Sequence, residues 1–271
     1  MNLPEDCVSA ILSFTSPASA CRSSLVSSTF NSAAESDVVW ERFLPSDYQQ
    51  LLSRLVNDTP FNFSTKKHLF FHLCNPVLID GGRKSFKIER ASGKKSYLLS
   101  ARELFITWSD QPMYWSWKRL PDSRFAEAVE LITNSWLEIH GKIRTRSLSK
   151  NTTYCAYLVM NVSKRAYGLD TTPFETAVKV GNQVSQGTVC VCTHDEKKQQ
   201  NTDCNWTMPT KVFTGNEPIP SERNDGWMEI KLGEFFTGEE DEEVKMSFLE
   251  TKGFHLKAGL VIEGIEVRPL D

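Results

Sequence analysis

Apolar positions recur with a helical period through roughly the first quarter of the chain and with a period of two through most of the rest. Pro4 stands in a first turn, and Val8, Ile11 and Leu12 follow at helical spacing. Ser16-Pro17 pairs an N-cap residue with proline at the first helical position, opening a segment that carries Cys21, Leu25, Val26 and Phe30. Ser36-Asp37 can cap a short helix presenting Trp40, Phe43 and Leu44. After Pro45, residues Tyr48, Leu51, Leu52 and Leu55 form the clearest amphipathic stripe in the chain, and Asn57 to Pro60 breaks it. Ser64 is placed to cap a last helix with Leu69, Phe70 and Leu73, ending before Pro76.

From Asn75 onward the pattern changes. "KSFKIERASGKKSYLLS" reads as a hairpin with Ser92-Gly93 in the turn. "YCAYLVMNV", "GTVCVC", "GWMEIKL", "EVKMSF" and "GLVIEGIEVRP" are β-rich runs between clusters of Gly, Pro, Asn and Asp. In "EVKMSF", Val244, Met246 and Phe248 share one face and Glu243, Lys245 and Ser247 the other. "SRFAEAVELIT" fits either a short helix or an irregular strand. The fold class is therefore α+β: a small helical module followed by an antiparallel β-sandwich. Some sixty residues of helix enclose little core, so the module is expected to cover its apolar surface with another protein.

Composition sharpens this reading. The chain has 271 residues, 40% of them apolar and 24% charged, as in a soluble globular protein of one large or two modest domains. No apolar run approaches the roughly 18 residues that span a bilayer, and the N-terminus is acidic without a continuous apolar stretch. A cytosolic or nuclear protein is expected, with its seven cysteines reduced and its Asn-x-Ser/Thr triplets unmodified. The net charge of −3 is unevenly spread: residues 61–150 carry 16 basic and 8 acidic side chains, and residues 151–271 carry 12 and 19. The basic residues are dispersed through alternating strands, which argues against a nucleic-acid partner.

The residues carry two resemblances. Leu3-Pro4, Ile11-Leu12, Pro17, Leu25-Val26, Phe30 and Trp40 occur in the order and spacing of an F-box, which residues 1–46 resemble. That resemblance implies docking onto the Skp adaptor of a cullin–RING ubiquitin ligase, with Leu3, Pro4, Ile11, Leu12, Pro17, Leu25 and Val26 as adaptor-binding residues. Residues 47–80 would form a helical linker region. "LLSAREL", "ITW", "YWSW", "SRFAEAVEL", "WLEIHGKI", "DGWMEIKLGEFF" and "GLVIEGIEVRP" make residues 81–271 similar to the phloem protein 2 group, the Nictaba-like lectins of plants. This implies a jelly-roll-like, lectin-type sandwich. Its binding role falls on Trp108, Trp115, Glu243 and Glu250, with N-acetylglucosamine-containing or related glycans on a target protein as the ligand. Together the halves resemble plant F-box proteins of the B class, substrate-recognition subunits of an SCF-type ligase.

The residues bear on these roles independently. An aromatic ring can cover the weakly hydrated face of a pyranose while carboxylates accept from its hydroxyls. Trp115 and Trp117 lie on one face of a regular strand, however, so displaying one displays both. Trp117 and Trp136 are expected in the core. Glu250 falls in phase with Val244, Met246 and Phe248, and reaches the surface only if the strand bends near Leu249. The run "GEEDEE" before Glu243 reads as a solvated turn and lacks the spacing of a calcium loop. Cys190, Cys192, His194 and Cys204 lack the spacing of known zinc modules, and the three cysteines read as free thiols. No metal or cofactor is expected. Leu256 in "HLKAG" and Lys150 in "LSKNTTY" depart from the lectin pattern, leaving a lectin and a protein-capture module with no sugar site as alternatives. The motifs of hydrolase, phosphate-binding and zincin sites are missing, so a non-catalytic receptor is expected.

Overall fold

The computed structural model describes residues 3–56, 63–191 and 218–270. Among these residues six helices come first: α1 (Glu5–Leu12), α2 (Pro17–Ser23), α3 (Ser28–Glu35), α4 (Asp37–Phe43), α5 (Tyr48–Ser53) and α6 (Lys66–Leu73). The caps are local chemistry. Ser16 Oγ accepts from the Ser19 N–H at 3.1 Å, with Pro17 at N1 as the sequence suggested. Ser27 Oγ accepts from the Phe30 N–H at 3.3 Å, starting a new helix. The segment expected to run from Pro17 through Phe30 is thus two helices, and Leu25 and Val26 lie in the connection between them. The last cap is Thr65, whose Oγ1 accepts from the His68 N–H at 3.2 Å, one residue beyond the expected Ser64.

The strands are β1 (Val77–Ile79), β2 (Lys84–Ile88), β3 (Lys95–Ser100), β4 (Phe105–Ile106), β5 (Trp115–Lys118), β6 (Ala128–Leu131), β7 (Leu137–Arg144), β8 (Thr152–Tyr167), β9 (Phe174–Val180), β10 (Gln183–Val189), β11 (Ser221–Glu222), β12 (Met228–Thr237), β13 (Glu243–Glu250) and β14 (Ala258–Pro269). They form two antiparallel sheets. The larger runs β1-β2-β3-β14-β8-β12-β11, with β6 also pairing β14 and β5 pairing β6. The smaller runs β10-β9-β13-β7-β4. Side chains from both inner faces fill the space between them. Phe174 stacks on Phe248 at 4.7 Å within the smaller sheet, and a Cβ on Gly141 of β7 would lie 2.9 Å from Ile265 of β14. An antiparallel sandwich behind a helical module is what the alternation predicted. Within "SRFAEAVELIT", Ala128–Leu131 form the strand β6 and no helix appears. Val77–Ile79, inside the expected linker, already pairs with β2 and belongs to the larger sheet.

The helical module is fastened to the sandwich. Trp40 sits against Phe70 of α6 at 5.1 Å and donates from Nε1 to the Ala34 carbonyl at 2.6 Å. The β2–β3 hairpin reaches the same cluster. Gly93, at φ 72° in its turn, comes so close to α4 that a Cβ there would lie 2.8 Å from the Phe43 carbonyl oxygen. Beside it, Lys95 of β3 meets Asp47 at 2.8 Å. One apolar cluster therefore runs from Val8 and Leu12 through Trp40 and Phe70 into Phe86 and Tyr97. Part of the apolar surface expected to need another protein is covered by the chain's own hairpin.

Candidate functional site

On the helical module the seven expected adaptor-binding residues divide. Leu12 and Pro17 are buried inside the module, where they hold α1 and α2 in place. Leu3, Pro4, Ile11, Leu25 and Val26 are exposed, Leu25 by 87%. Phe14 and Val38 are exposed as well. Phe14 is three residues beyond Ile11, a helical repeat that could have marked it from sequence; the Arg42 guanidinium lies 5.6 Å from its ring centre. Large apolar side chains left in water on so small a unit mark an interaction surface. Leu3, Pro4, Ile11, Leu25 and Val26 are thus free to meet a partner, while the buried Leu12 and Pro17 hold the module together.

On the sandwich, the structure does not bring Trp108, Trp115, Glu243 and Glu250 together. Glu243 and Glu250 are the first and last residues of β13, opposite Arg144 and Leu137. Eight residues of strand at about 3.4 Å each hold them at opposite ends. Glu250 does not reach the surface: the strand keeps its phase, and the carboxylate forms a buried ion pair with Lys257. It also accepts from the Gly253 N–H at 2.6 Å and the Lys252 N–H at 3.2 Å. Glu243 lies between Lys142 at 3.8 Å and Lys245 at 3.5 Å.

Trp115 is 2% exposed and faces the core. Its Nε1 donates to the Thr107 carbonyl at 3.0 Å, and Trp117 Nε1 donates to the Ser109 carbonyl at 2.9 Å. The two rings do share a face, and together they brace the turn on either side of Trp108. Trp117 is half-buried, under the Arg102 guanidinium at 3.5 Å. Trp108 itself has φ 59°, a left-handed backbone that turns its ring out against Tyr114 at 5.4 Å, leaving it 46% exposed.

Trp136 is the larger correction. Expected in the core, it is 41% exposed beside Trp108's turn. Its Nε1 donates to Glu138 Oε2 at 3.1 Å, the same oxygen that accepts from Thr107 Oγ1 at 3.1 Å. His140 Nε2 lies 2.9 Å from the other oxygen. These donors, His140 first and Trp136 next, hold the Glu138 carboxyl below the usual carboxylate range. Phe105, also exposed, lies 5.9 Å from the His140 ring. The result is a surface of Trp108, Trp136 and Phe105 around a carboxylate held in its charged form. The signal was available in "WLEIHGKI": Leu137, Ile139, Gly141 and Ile143 are buried, and Trp136, Glu138 and His140 take the outward phase.

The acidic run is engaged in ion pairs, Glu239 with Lys150 at 2.9 Å and Asp241 with Arg144 at 2.8 Å. Of the cysteine–histidine group only Cys190 lies within the described residues; Cys192, His194 and Cys204 lie outside them.

With this geometry in view, comparisons with known proteins are informative. The phloem protein 2 family profile matches residues 94–269 and the F-box-like profile residues 1–46. Among Arabidopsis thaliana proteins, the chain is 52% identical to F-box protein PP2-B15, across 99% of this chain and 96% of that one. It is 52% identical to F-box protein VBF, across 99% of each. F-box protein PP2-B1 is 37% identical across 98% of this chain and 89% of its own. Among solved structures, a Podospora anserina β-(1,4)-mannanase superimposes with a TM-score of 0.33 at 10% identity, covering 65% of this chain and 28% of that one, too loosely to carry any argument.

Proposed function

The chain belongs to the plant F-box proteins that carry a phloem protein 2 domain, and from that premise we propose that it is a substrate-recognition subunit of an SCF-type ubiquitin ligase. In this reading the helical module docks a Skp-type adaptor, and through it a cullin–RING assembly, while the sandwich holds the target. The chain supplies no chemistry. It raises the effective concentration of the target beside a charged ubiquitin-conjugating enzyme. The observation that carries the reading is the exposure of Ile11, Phe14, Leu25 and Val26 on a module whose core is filled without them. The proposal places the protein in the cytosol or nucleus, in keeping with exposed, unpaired thiols at Cys7 and Cys21.

Adaptor docking is tested by co-purification. Because Leu25 and Val26 contribute little to the module's core, Leu25→Asp/Val26→Asp is expected to keep the wild-type circular dichroism and melting curve. Its adaptor affinity should fall by about a hundredfold or more, two desolvated anchors being worth about 1.5–3 kcal/mol each. Undiminished capture by this variant would overturn the docking assignment.

For the target we infer that Trp108, Trp136 and Glu138 form the contact surface. Rings beside a charged acceptor suit the faces and hydroxyls of a sugar. One observation favours a second reading. Three of the roughly four acceptor positions on Glu138 are taken by Thr107, Trp136 and His140, which favours capture of a protein surface with no sugar. A glycan array separates the two. Retained glycans lost with both Trp108→Ala and Trp136→Ala support the lectin reading. An array blank for wild type, with Trp108→Ala still weakening capture of a target, supports the second. Full target capture by both variants would remove the surface from either.

A further inference from the structure

A second concave region lies between α5 and the sandwich, away from Trp108. It is a cleft of about 670 Å³, within the range that holds small ligands. Five cationic side chains line it, from Arg54 beyond α5, Lys84 of β2, Lys142 and Arg144 of β7, and Arg146 after it; the carboxylates there are Asp47 and Glu243. Both carboxylates already have partners, Asp47 the Lys95 ammonium at 2.8 Å and Glu243 the flanking lysines.

Lys84 is held by Asp80 at 3.1 Å and Glu103 at 3.5 Å, but part of the donor capacity of the arginines is unspent. Arg54 gives Nε and Nη2 to Asp80, at 2.8 Å each, and Arg144 gives Nε and Nη2 to Asp241. Their Nη1 groups have no hydrogen-bond partner among the described residues. Arg146 approaches Asp241 only to 3.8 Å, and its side chain is 74% exposed.

An independent observation comes from Tyr97, which lines the cleft yet is 2% exposed. Its hydroxyl is buried with no hydrogen-bond partner among the described residues. An orphaned buried hydroxyl is costly, and a bound acceptor would recover that cost. Burial first, and the Asp47 charge next, push its ionisation well above neutrality, so it remains an O–H donor. Guanidinium N–H groups in surplus with a fixed neutral donor suit a tetrahedral oxyanion with several acceptor oxygens better than a planar carboxylate.

We propose that this cleft binds a phosphate ester dianion, with Tyr97 donating to one oxygen and Arg54, Lys142, Arg144 and Arg146 surrounding the others. Bound there, the anion bridges α5, which continues from the adaptor-docking helices, to β7 of the target-holding sandwich. The ester comes from a free phosphorylated metabolite or from a phosphorylated protein side chain, and the chemistry of recognition is shared.

Calorimetric titration of the full chain with inorganic phosphate, O-phosphoserine and a phosphoserine peptide tests this, with sodium chloride at matched ionic strength as control. Saturable binding is expected for the phosphorylated probes and none for chloride. Lys142→Glu/Arg146→Glu, two exposed charge reversals, should weaken it by a factor of about ten or more. Tyr97→Phe should weaken it by about tenfold without lowering the melting temperature, because the hydroxyl it removes is unpaired in the free protein. Both results support the proposal. Tighter binding of the peptide than of O-phosphoserine assigns a modified protein as the source, and equal binding assigns a small metabolite. No saturable binding of any phosphorylated probe, or equal binding by the charge-reversed variant, would overturn it.

Discussion

Lys257→Ala, with Glu250 left in place, is expected to destabilise the protein by about 3–5 kcal/mol, the usual cost of stranding one member of a buried ion pair. Lys257 is fully buried and ties three groups together. Its ammonium meets Glu250, donates to the Ser135 carbonyl at 2.6 Å, and donates to the His255 carbonyl at 3.1 Å. Its backbone exchanges hydrogen bonds with Asn134 at 2.8 and 3.0 Å. Removing the cation strands the buried Glu250 carboxylate and removes the side-chain tie to the Ser135 carbonyl, leaving only the backbone bonds to Asn134 between the loop 251–257 and residues 134–136. Urea unfolding of the variant measures the loss directly. Glu250→Gln/Lys257→Met is the informative control. The glutamine carbonyl can still accept from Gly253, and the methionine fills the volume of the lysine stem, so most of the stability should return. If Lys257→Ala unfolds at the wild-type midpoint, the pair does not hold this corner together. The same pair keeps Glu250 from the surface and fixes the segment that leads into Trp136, one edge of the proposed target surface.

The second large effect is expected at Trp40. The side chain is fully buried among Phe43 at 5.6 Å, Phe70 at 5.1 Å and Phe71 at 5.3 Å, with the Lys67 ammonium 5.5 Å from its ring centre. Trp40→Ala should cost about 3–5 kcal/mol, from lost transfer energy and the cavity left behind. Trp40→Phe keeps most of the packing but strands the Ala34 carbonyl, and should cost about 1–3 kcal/mol. Because the β2–β3 hairpin closes over the same cluster at Gly93, the loss should shift the single unfolding transition of the whole chain. A wild-type sandwich transition, with only an early helical transition displaced, would show that the two halves fold independently. Adaptor capture should fall in step with the unfolded fraction, unlike the Leu25→Asp/Val26→Asp variant, which loses capture while folded.

What was legible in the sequence is what neighbouring residues decide among themselves. Ser16-Pro17 announced a helix start because a hydroxyl and a fixed φ act within one turn. The alternation of Val244, Met246 and Phe248 announced the strand β13 and its inner face. That alternation also put Glu250 inside, where the structure places it. The outward phase of Trp136 and Glu138 could be read the same way. Other features depend on contacts made across the chain. Nothing within "ITWSDQPMYWSW" distinguishes the ring that is displayed from the two that are not, since all three are amphipathic and equally bulky. The strand β5 turns Trp115 and Trp117 inward and points their N–H groups at the carbonyls flanking Trp108, which a left-handed turn leaves in water. Lys257 acquires its partner only when the loop after β13 folds back, and the basic excess of residues 61–150, dispersed along the chain, is gathered beside Tyr97 only by the pairing of β2 with β3 and the approach of α5 to β7. Periodicity tells a side chain which face it occupies; only the closing of loops, sheets and helices over one another determines what stands opposite, because that depends on how the chain folds back, as it does to bring Lys257 to Ser135 across 122 positions.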